Sequence, residues 1–223
     1  MFVTAFFQPK TSYRNIDTYL AEFQKFARTG VSILLFLDKS VEAAFPPNVQ
    51  VVPIELDTSW IPEDAQFPAY RNPHKDTPEY FCIQVTKLFC MKEALKYTDD
   101  AFLAWLDFGA FHMFRDTEAC AKLIQTIAVS EFPIHTILAP GCWPAGVYDW
   151  NSVCWRFCGT FLIGHRSLFP AAYDRQSRIV LSQLPRVTWE VNYWAQMDEL
   201  FTVYTANHDD TLLSRAMTFV QRQ

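Results

Sequence analysis

The chain has 223 residues, of which 50% are hydrophobic and 19% are charged, and its formal net charge is -5 at pH 7. This length is enough to bury a substantial core in one domain, and neither a Pro/Gly/Ser-rich linker nor an internal repeat divides the sequence. The acidic balance and the lack of a Lys/Arg-rich block argue against binding to nucleic acid or to an anionic membrane.

The sequence also indicates a compartment. No stretch reaches the roughly 18 apolar residues of a membrane span. The N-terminal segment MFVTAFFQPK lacks a basic leader and a cleavage site, so we expect it to be a first strand and not a signal peptide. The six cysteines are scattered and contain no CxxC pair, which is typical of reduced thiols without a zinc site. These features predict a cytoplasmic protein.

Strand-like and helical patterns alternate along the first half of the chain. Asn15 is a predicted N-cap because apolar residues follow it at helical spacing. Pro78 is well placed in a first helical turn, whereas Pro53 indicates an edge strand or a bulge. The predicted elements are strands over 2–7, 31–37, 49–56 and 101–108, and helices over 16–26 and 78–97.

The second half is less regular, with a loop rich in Trp and Pro over 141–151. Its predicted elements are helices over 117–128 (capped by Thr117), 166–183, 189–199 and 210–221, and strands over 135–140, 155–164 and 201–204. Strands that alternate with helices predict an α/β sandwich around a mixed, mostly parallel sheet. Ligands bind such sheets at the carboxyl ends of strands, so Asp38 and Asp107 are candidate site residues by position.

Asp107, Phe108 and Gly109 spell the DFG of a protein kinase. A kinase also needs a glycine-rich phosphate loop, a strand lysine and an HRD loop. The chain has 6 glycines and neither GxGxxG nor HRD. A GxxxxGK[ST] loop is missing as well, so P-loop NTPases and dinucleotide-binding dehydrogenases are excluded together with kinases.

A strand-terminal aspartate suits a second role, because Mg²⁺ and Mn²⁺ bridge one or two carboxylates to substrate phosphates. Nucleotide-sugar transferases of the GT-A type place a DxD motif there. Asp107 would be its first acid and Gly109 replaces the second. A capping or structural aspartate would produce the same three letters, so this motif needs support from other segments.

Three other segments supply candidate residues. Lys75 and Asp76 precede a helix whose N-terminus favours anions, although a solvated capping pair fits equally well. Glu190 lies among aromatic residues, where desolvation raises a carboxyl pKa and suits a general base; the alternative is an amphipathic helix with Glu190 in water. His208 could complete a metal sphere, or its segment could simply cap the last helix.

The segments KDTPEY, WLDFGAFH, CGTFLIGH, TWEVNYWA and NHDD, in this order, resemble the HtrL/YibB-like family of GT-A glycosyltransferases. The likeness is strongest to the N-terminal rhamnosyltransferase domain of multidomain chlorovirus enzymes that build capsid-protein glycans. It runs along nearly the whole chain. The resemblance implies a single GT-A domain, with a nucleotide-binding half over 1–110 and an acceptor half over 111–223.

The resemblance also implies an activity. This is transfer of L-rhamnose or another hexose, with inversion, from a UDP- or dTDP-type donor to an oligosaccharide or glycoprotein acceptor. It implies a divalent metal (Mn²⁺ or Mg²⁺), host cytoplasm as the location, and further enzymatic domains in the parent protein.

Site roles follow position by position. Asp107 and His208 would hold the metal, and Glu190 would be the base. Arg71, Lys75 and Asp76 would contact the donor diphosphate. By analogy with the fold, nucleoside contacts are expected at Thr4, Phe6 and Asp38. The residues expected near the sugar or the acceptor are Gly159, Thr160, Trp189 and Asn192.

Two other functions fit the sequence. A nucleotidyltransferase that makes nucleotide sugars shares the α/β sheet and a metal, but it usually carries a glycine-rich signature near the first strand, and FVTAFFQPKTSY contains no glycine. An inactive carbohydrate-binding module would explain the 16% aromatic content and the missing second aspartate.

Overall fold

The computed structural model describes residues 1–9, 15–132, 135–146 and 148–220. The predicted α/β fold is confirmed: a seven-stranded mixed sheet in the order β3-β2-β1-β4-β6-β5-β7 is packed between helices. Among the described helices, none has the length and apolarity to cross a bilayer.

The strands are β1 (Phe2–Phe6), β2 (Ile33–Asp38), β3 (Val49–Ile54), β4 (Phe102–Leu106), β5 (Ile137–Gly141), β6 (Phe161–His165) and β7 (Phe201–Thr205). The α-helices are α1 (Ile16–Ala27), α2 (Pro78–Glu93), α3 (Thr117–Val129), α4 (Leu168–Gln183), α5 (Glu190–Trp194) and α6 (Thr211–Val220). Short 3₁₀ segments are found at Ala94–Lys96, Ala110–Met113 and Ala195–Leu200.

The order of the strands creates a switch point between β1 and β4. The chain proceeds outward from β1 to β2 and β3, each parallel to its neighbour, and then returns to the other side of β1 to form β4, which is also parallel to β1. β6 is antiparallel to both β4 and β5. The connections that follow β1 and β4 therefore leave in opposite directions, and a crevice opens between the carboxyl ends of these two strands.

The core has two parts because side chains alternate along each strand. On one face, Phe2 and Phe6 of β1 pack with the apolar sides of α1, α3 and α6. On the other face, Val3 and Trp105 pack with α2, α4 and α5. The sheet is thus buried on both sides, as expected for parallel strands.

The turn after β4 is fixed by an aromatic stack. The Phe108 ring lies 4.3 Å from the Phe23 centroid at an interplanar angle of 4°, and 4.6 Å from the Phe6 centroid. Phe108 is 4% exposed, so it contributes both apolar burial and ring stacking. This packing joins the turn at residues 107–109 to β1 and α1.

Most predicted elements are found within two or three residues of their expected bounds. Asn15 caps α1 by accepting a hydrogen bond from the Asp17 amide, and β3 with Pro53 is an edge strand, as predicted. The cap of α3 is Asp116 and not Thr117, because the Asp116 carboxylate accepts from the Ala119 amide.

The predicted bounds of two elements in the second half of the chain were wrong. The strand expected over 155–164 begins at Phe161, because residues 155–158 form turns that hydrogen-bond to the end of β5. The helix expected over 189–199 is α5 followed by a 3₁₀ segment, with a kink at Met197 (φ -135°, ψ 38°). Residue 221 of the last predicted helix lies outside the described residues.

Gly141, at the end of β5, provides a test of this packing. A Cβ atom at Gly141 would lie 1.9 Å from the Arg156 carbonyl oxygen, whereas one at Gly164 would meet its nearest neighbour at 3.4 Å. Gly141→Ala is expected to lower the free energy of unfolding by about 1–3 kcal/mol or more, the usual cost of overpacking. Urea unfolding followed by circular dichroism measures this change. Gly164→Ala is the matched control, and an equal loss in both variants would contradict the proposed contact.

Candidate active site

A cavity of about 400 Å³ opens at the switch point between β1 and β4. Its walls come from the carboxyl ends of these two strands, the first half of α2 and the 3₁₀ segment after β4. Both polar and aromatic side chains reach it, including Lys75, Tyr80, Lys87, Asp107 and His208. Its volume is in the range of small-ligand sites, about 300–1,000 Å³. We call it the switch-point cavity.

Asp107 is held in place from three sides. Its backbone amide donates to the Thr160 carbonyl oxygen at 2.9 Å, and its Oδ1 accepts from the Trp105 indole N–H at 2.7 Å. The buried Phe108 ring anchors the next residue. About a third of the Asp107 side chain (34%) remains exposed toward the cavity. Asp107, the predicted first acid of a shortened DxD, is therefore a fixed and partly exposed carboxylate.

Lys87 is a buried ammonium shared by two carboxylates. Its Nζ lies 2.9 Å from Glu190 Oε1 and 3.1 Å from Asp107 Oδ1, and donates to the Gly159 carbonyl oxygen at 2.9 Å. Burial by itself lowers the pKa of Lys87, but the charges of Asp107 and Glu190 outweigh it and raise the pKa above its usual value. Lys87 is thus positively charged at neutral pH. We call Lys87, Asp107 and Glu190 the lysine cluster.

Glu190 lies beneath Lys87 and is 3% exposed. A Cβ atom at residue 159 would come within 2.1 Å of Glu190 Oε1, so the glycine there makes room for the ion pair. Glu190 is not part of the cavity wall. The sequence predicted a desolvated environment for Glu190 among aromatic residues. The side chain is indeed buried, but its carboxylate forms an ion pair with the Lys87 ammonium. Its role as a base stays a prediction.

His208 lies on the cavity wall with Asp107. Its Nε2 is 2.8 Å from the Thr160 hydroxyl. Desolvation lowers the pKa of His208; the charge of Asp107 opposes this effect, and neighbouring cations such as Lys87 add to it. The imidazole is therefore neutral at pH 7, the form that binds metals.

The fit of a divalent metal depends on these two side chains. Within the part of the chain that the structure describes, no group of three or more His, Cys, Asp or Glu side chains is arranged to hold a metal ion. Asp107 and His208 are two ligands on one cavity wall. This donor set does not form a protein cage, but it fits an ion that completes its coordination from substrate phosphates and water, as Mg²⁺ does.

Tyr19 packs close to Gly109. A Cβ atom at Gly109 would approach the Tyr19 ring to 3.0 and 3.3 Å, so a larger residue there would require the ring to shift by a few tenths of an ångström. Tyr19 also lines the switch-point cavity. The ring therefore borders the position that the second acid of a DxD motif would occupy.

The segment just before α2 contributes one of the predicted cationic residues, Lys75, to the cavity wall. The Lys75 ammonium reaches the cavity wall and lies 5.3 Å from the Tyr80 ring centroid. Arg71 instead donates to the Asp76 carbonyl oxygen and packs over Phe67, and Asp76 is 6% exposed and accepts from the Asn72 amide. Arg71 and Asp76 shape the loop before the helix and lie outside the cavity wall.

Of the nucleoside contacts expected at the first strands, Phe6 lines the cavity. Thr4 is fully buried in the sheet, and Asp38 accepts hydrogen bonds from Ser40 and from the Gln8 amide. Both lie outside the wall of the switch-point cavity.

Of the four residues expected near the sugar or the acceptor, one lines the switch-point cavity and three do not. Thr160 lines the cavity, while the Gly159 carbonyl binds Lys87. Trp189 is 6% exposed and packs on Phe81. Asn192 is fully buried and bonds to the Cys154 amide and the Ser152 carbonyl oxygen, so it fastens the loop before residue 155.

Lys87 is the site residue that motif analysis missed. Its signal was present, because Lys87 falls on the same helical face as Tyr80 and Gln84, and all three line the cavity. A lysine in a helix is most often solvent-exposed. Its burial depends on two carboxylates 20 and 103 residues further along the chain.

No protein-family profile matches the sequence, and no curated protein matches it significantly. Among solved structures, the bifunctional IspDF from Campylobacter jejuni aligns with a TM-score of 0.45 and 13% identity over 92% of this chain and 49% of that protein. The chain thus spans about half the length of that protein. HddC from Yersinia pseudotuberculosis aligns with a TM-score of 0.38 and 10% identity over 99% and 97% of the two chains. HddC complexed with GMP-PN aligns with a TM-score of 0.37.

Removal of the shared ammonium tests the lysine cluster. Lys87→Met is expected to lower the free energy of unfolding by about 3–5 kcal/mol at pH 7, because it leaves the buried carboxylate of Glu190 without a counter-charge. Urea unfolding at pH 7 measures this loss. Lys122→Met removes an exposed pair with Glu118 (73% and 83% exposed) and should change stability by less than about 0.5 kcal/mol. A loss equal to this control would refute the cluster.

The coupling of His208 to Asp107 has its own test. The pKa of His208 is expected below 6.5, and Asp107→Asn should lower it further, because the Asp107 charge favours the imidazolium. Two-dimensional ¹H–¹⁵N NMR of the imidazole nitrogens, recorded against pH, measures both values. His165, which hydrogen-bonds to Ser167, is an internal reference. A higher pKa in Asp107→Asn would show that the two side chains do not interact as described.

Proposed function

We propose that this protein is a glycosyltransferase that moves a sugar from a nucleoside-diphosphate sugar to a carbohydrate acceptor, with the donor in the switch-point cavity. The observation that carries this proposal is a fixed, partly open carboxylate, Asp107, at the carboxyl end of a central strand and at the switch point of the sheet. This is where α/β sheets bind nucleotides, and it is where a DxD-type acid acts.

The cavity has a wall suited to each part of such a donor. The aromatic ring of Tyr19 lines the cavity and offers a stacking surface for a nucleobase. Lys75 at the entrance of α2 supplies a positive charge for the diphosphate. Asp107 and His208 lie on the same wall, where the diphosphate and the sugar would meet.

Charge balance supports the need for a divalent cation. In the lysine cluster two carboxylates share one ammonium, which leaves one net negative charge beside the cavity. A divalent cation at Asp107 would offset this charge and add to the attraction that Lys75 offers the diphosphate. Mn²⁺ or Mg²⁺ held by Asp107 and His208 would, when bound, supply the positive charge that stabilises a leaving nucleoside diphosphate.

The chain's own residues then position the donor. Lys87 contacts both oxygens of the Asp107 carboxylate, at 3.1 and 3.4 Å, and so fixes a side chain that stays 34% exposed. Glu190 holds Lys87 in place, which makes it a positioning residue in this proposal. Neutral His208 offers a ring nitrogen without adding a positive charge of its own.

The finer parts of the proposal come from the resemblance to the HtrL/YibB-like family. They are an L-rhamnosyl donor of UDP or dTDP type, inversion at the anomeric carbon, a glycan or glycoprotein acceptor, and activity in a host cytoplasm.

An assay with a panel of nucleotide sugars, with and without Mn²⁺, tests the proposal through released nucleoside diphosphate. We expect metal-dependent release that falls by about 100-fold or more in Asp107→Asn, because the variant removes the charge that binds the cation. Asp99→Asn makes the same chemical change at a fully exposed acid paired with Arg166 and should retain activity.

Two results would contradict the proposal. Pyrophosphate formation from a nucleoside triphosphate and a sugar phosphate, without diphosphate release, would identify a nucleotidyltransferase. Sugar binding without turnover under any metal would identify an inactive carbohydrate-binding module.

A further inference from the structure

A second cavity, of about 280 Å³, lies beside the first on the far side of His208. Its wall includes the side chains of Trp143, Trp155, Asn207 and His208. The predicted site residues, apart from His208, lie outside its wall. We call it the tryptophan cavity.

The tryptophan cavity has an uncharged lining, whereas the switch-point cavity is lined by charged side chains as well. Its lining residues include two tryptophans, an asparagine and a histidine, but neither an acid nor a lysine nor an arginine. A phosphate or a metal ion would find no opposite charge there. Apolar rings combined with a few polar groups suit a neutral ligand that has both an apolar face and hydroxyl groups.

The two indoles are held on a rigid frame. The amides of Cys142 and Trp143 both donate to the Trp155 carbonyl oxygen, at 2.9 and 3.1 Å. Arg156 forms a two-pronged ion pair with Asp198, at 2.8 and 3.3 Å, and also donates to the Trp143 carbonyl oxygen at 3.4 Å. Because the backbone is fixed in this way, a ligand would not have to order the loop when it binds.

Trp155 presents a large part of its surface to solvent. It is 41% exposed, while the other indoles near the sheet, such as Trp105 and Trp194, are 3% and 0% exposed. An indole held open to solvent at the mouth of a cavity offers a flat apolar platform. Its ring centroid is 6.5 Å from that of His208, the residue shared by both cavities.

We infer that the tryptophan cavity is the acceptor subsite and takes a neutral pyranoside, whose apolar face stacks on Trp155 while its hydroxyls bond to Asn207. This inference rests on the proposed glycosyl transfer. The two cavities share His208, and the Cys158–Thr160 segment contributes Cys158 to one and Thr160 to the other. A pyranoside seated on the indoles would therefore present a hydroxyl toward the sugar of a donor in the switch-point cavity.

Direct binding separates this inference from the function on which it rests. The probes are methyl β-D-glucopyranoside, methyl β-D-xylopyranoside and methyl α-L-rhamnopyranoside for the tryptophan cavity, and UDP with Mn²⁺ for the switch-point cavity. Saturation-transfer NMR and titration measure both on the same protein. We expect at least one glycoside to bind with a Kd of about millimolar, the range of weak single-sugar contacts.

Trp155→Ala tests the acceptor subsite, and it leaves the backbone hydrogen bonds to the carbonyl oxygen of residue 155 in place. Glycoside affinity should fall about tenfold, the cost of losing one stacking platform, while UDP affinity stays within about twofold. Trp155→Phe keeps a ring and should lose less. Tyr70→Ala removes an aromatic side chain that is 79% exposed and lies outside both cavities, and it should change neither affinity.

These binding results test the acceptor subsite and the proposed transferase separately. Equal glycoside affinity in Trp155→Ala and wild type, or UDP binding by wild type without any glycoside binding, would overturn the acceptor subsite and leave the donor site standing. Glycoside binding that depends on Trp155, without binding of UDP or of dTDP under the same conditions, would support the carbohydrate subsite and overturn the proposed transferase. Binding of neither probe would overturn both.

Discussion

The structure of the site depends on one buried ammonium. Lys87 connects helix α2 to the end of β4 through Asp107, to α5 through Glu190, and to the segment before β6 through the Gly159 carbonyl. A lysine is stable at 4% exposure only where opposite charges compensate its desolvation. The same ion pairs also decide what Asp107 can do, because they orient its carboxylate and leave one side open to the cavity.

A second constraint acts from the other face of the sheet. Phe108 stacks between Phe6 and Phe23, so the turn after β4 is fixed both by packing below the sheet and by charge above it. The apolar residue of the Asp-Phe-Gly tripeptide therefore has a structural role of its own. The Tyr19 ring lies next to Gly109 and would have to shift to admit a side chain there.

The two cavities divide the chemistry by charge. One holds the lysine cluster and Lys75 and suits an anionic, cation-dependent ligand, whereas the other presents uncharged tryptophan surfaces. They meet at His208, whose pKa is lowered by desolvation and which therefore adds no positive charge at the junction.

The sequence by itself determined the α/β class, the alternation of strands and helices, the edge position of β3 and the place of Asp107 at a strand end, because these depend on local periodicity and turn chemistry. It also brought forward His208 and Lys75, which lie on the cavity wall. Tertiary structure alone decided that Lys87 is buried, that Glu190 faces an ammonium, that Thr4 and Asn192 are enclosed by the fold, and that two tryptophans form a second cavity. Those outcomes depend on contacts between residues far apart in the chain, such as Lys87 with Glu190, and local patterns carry no information about such pairs.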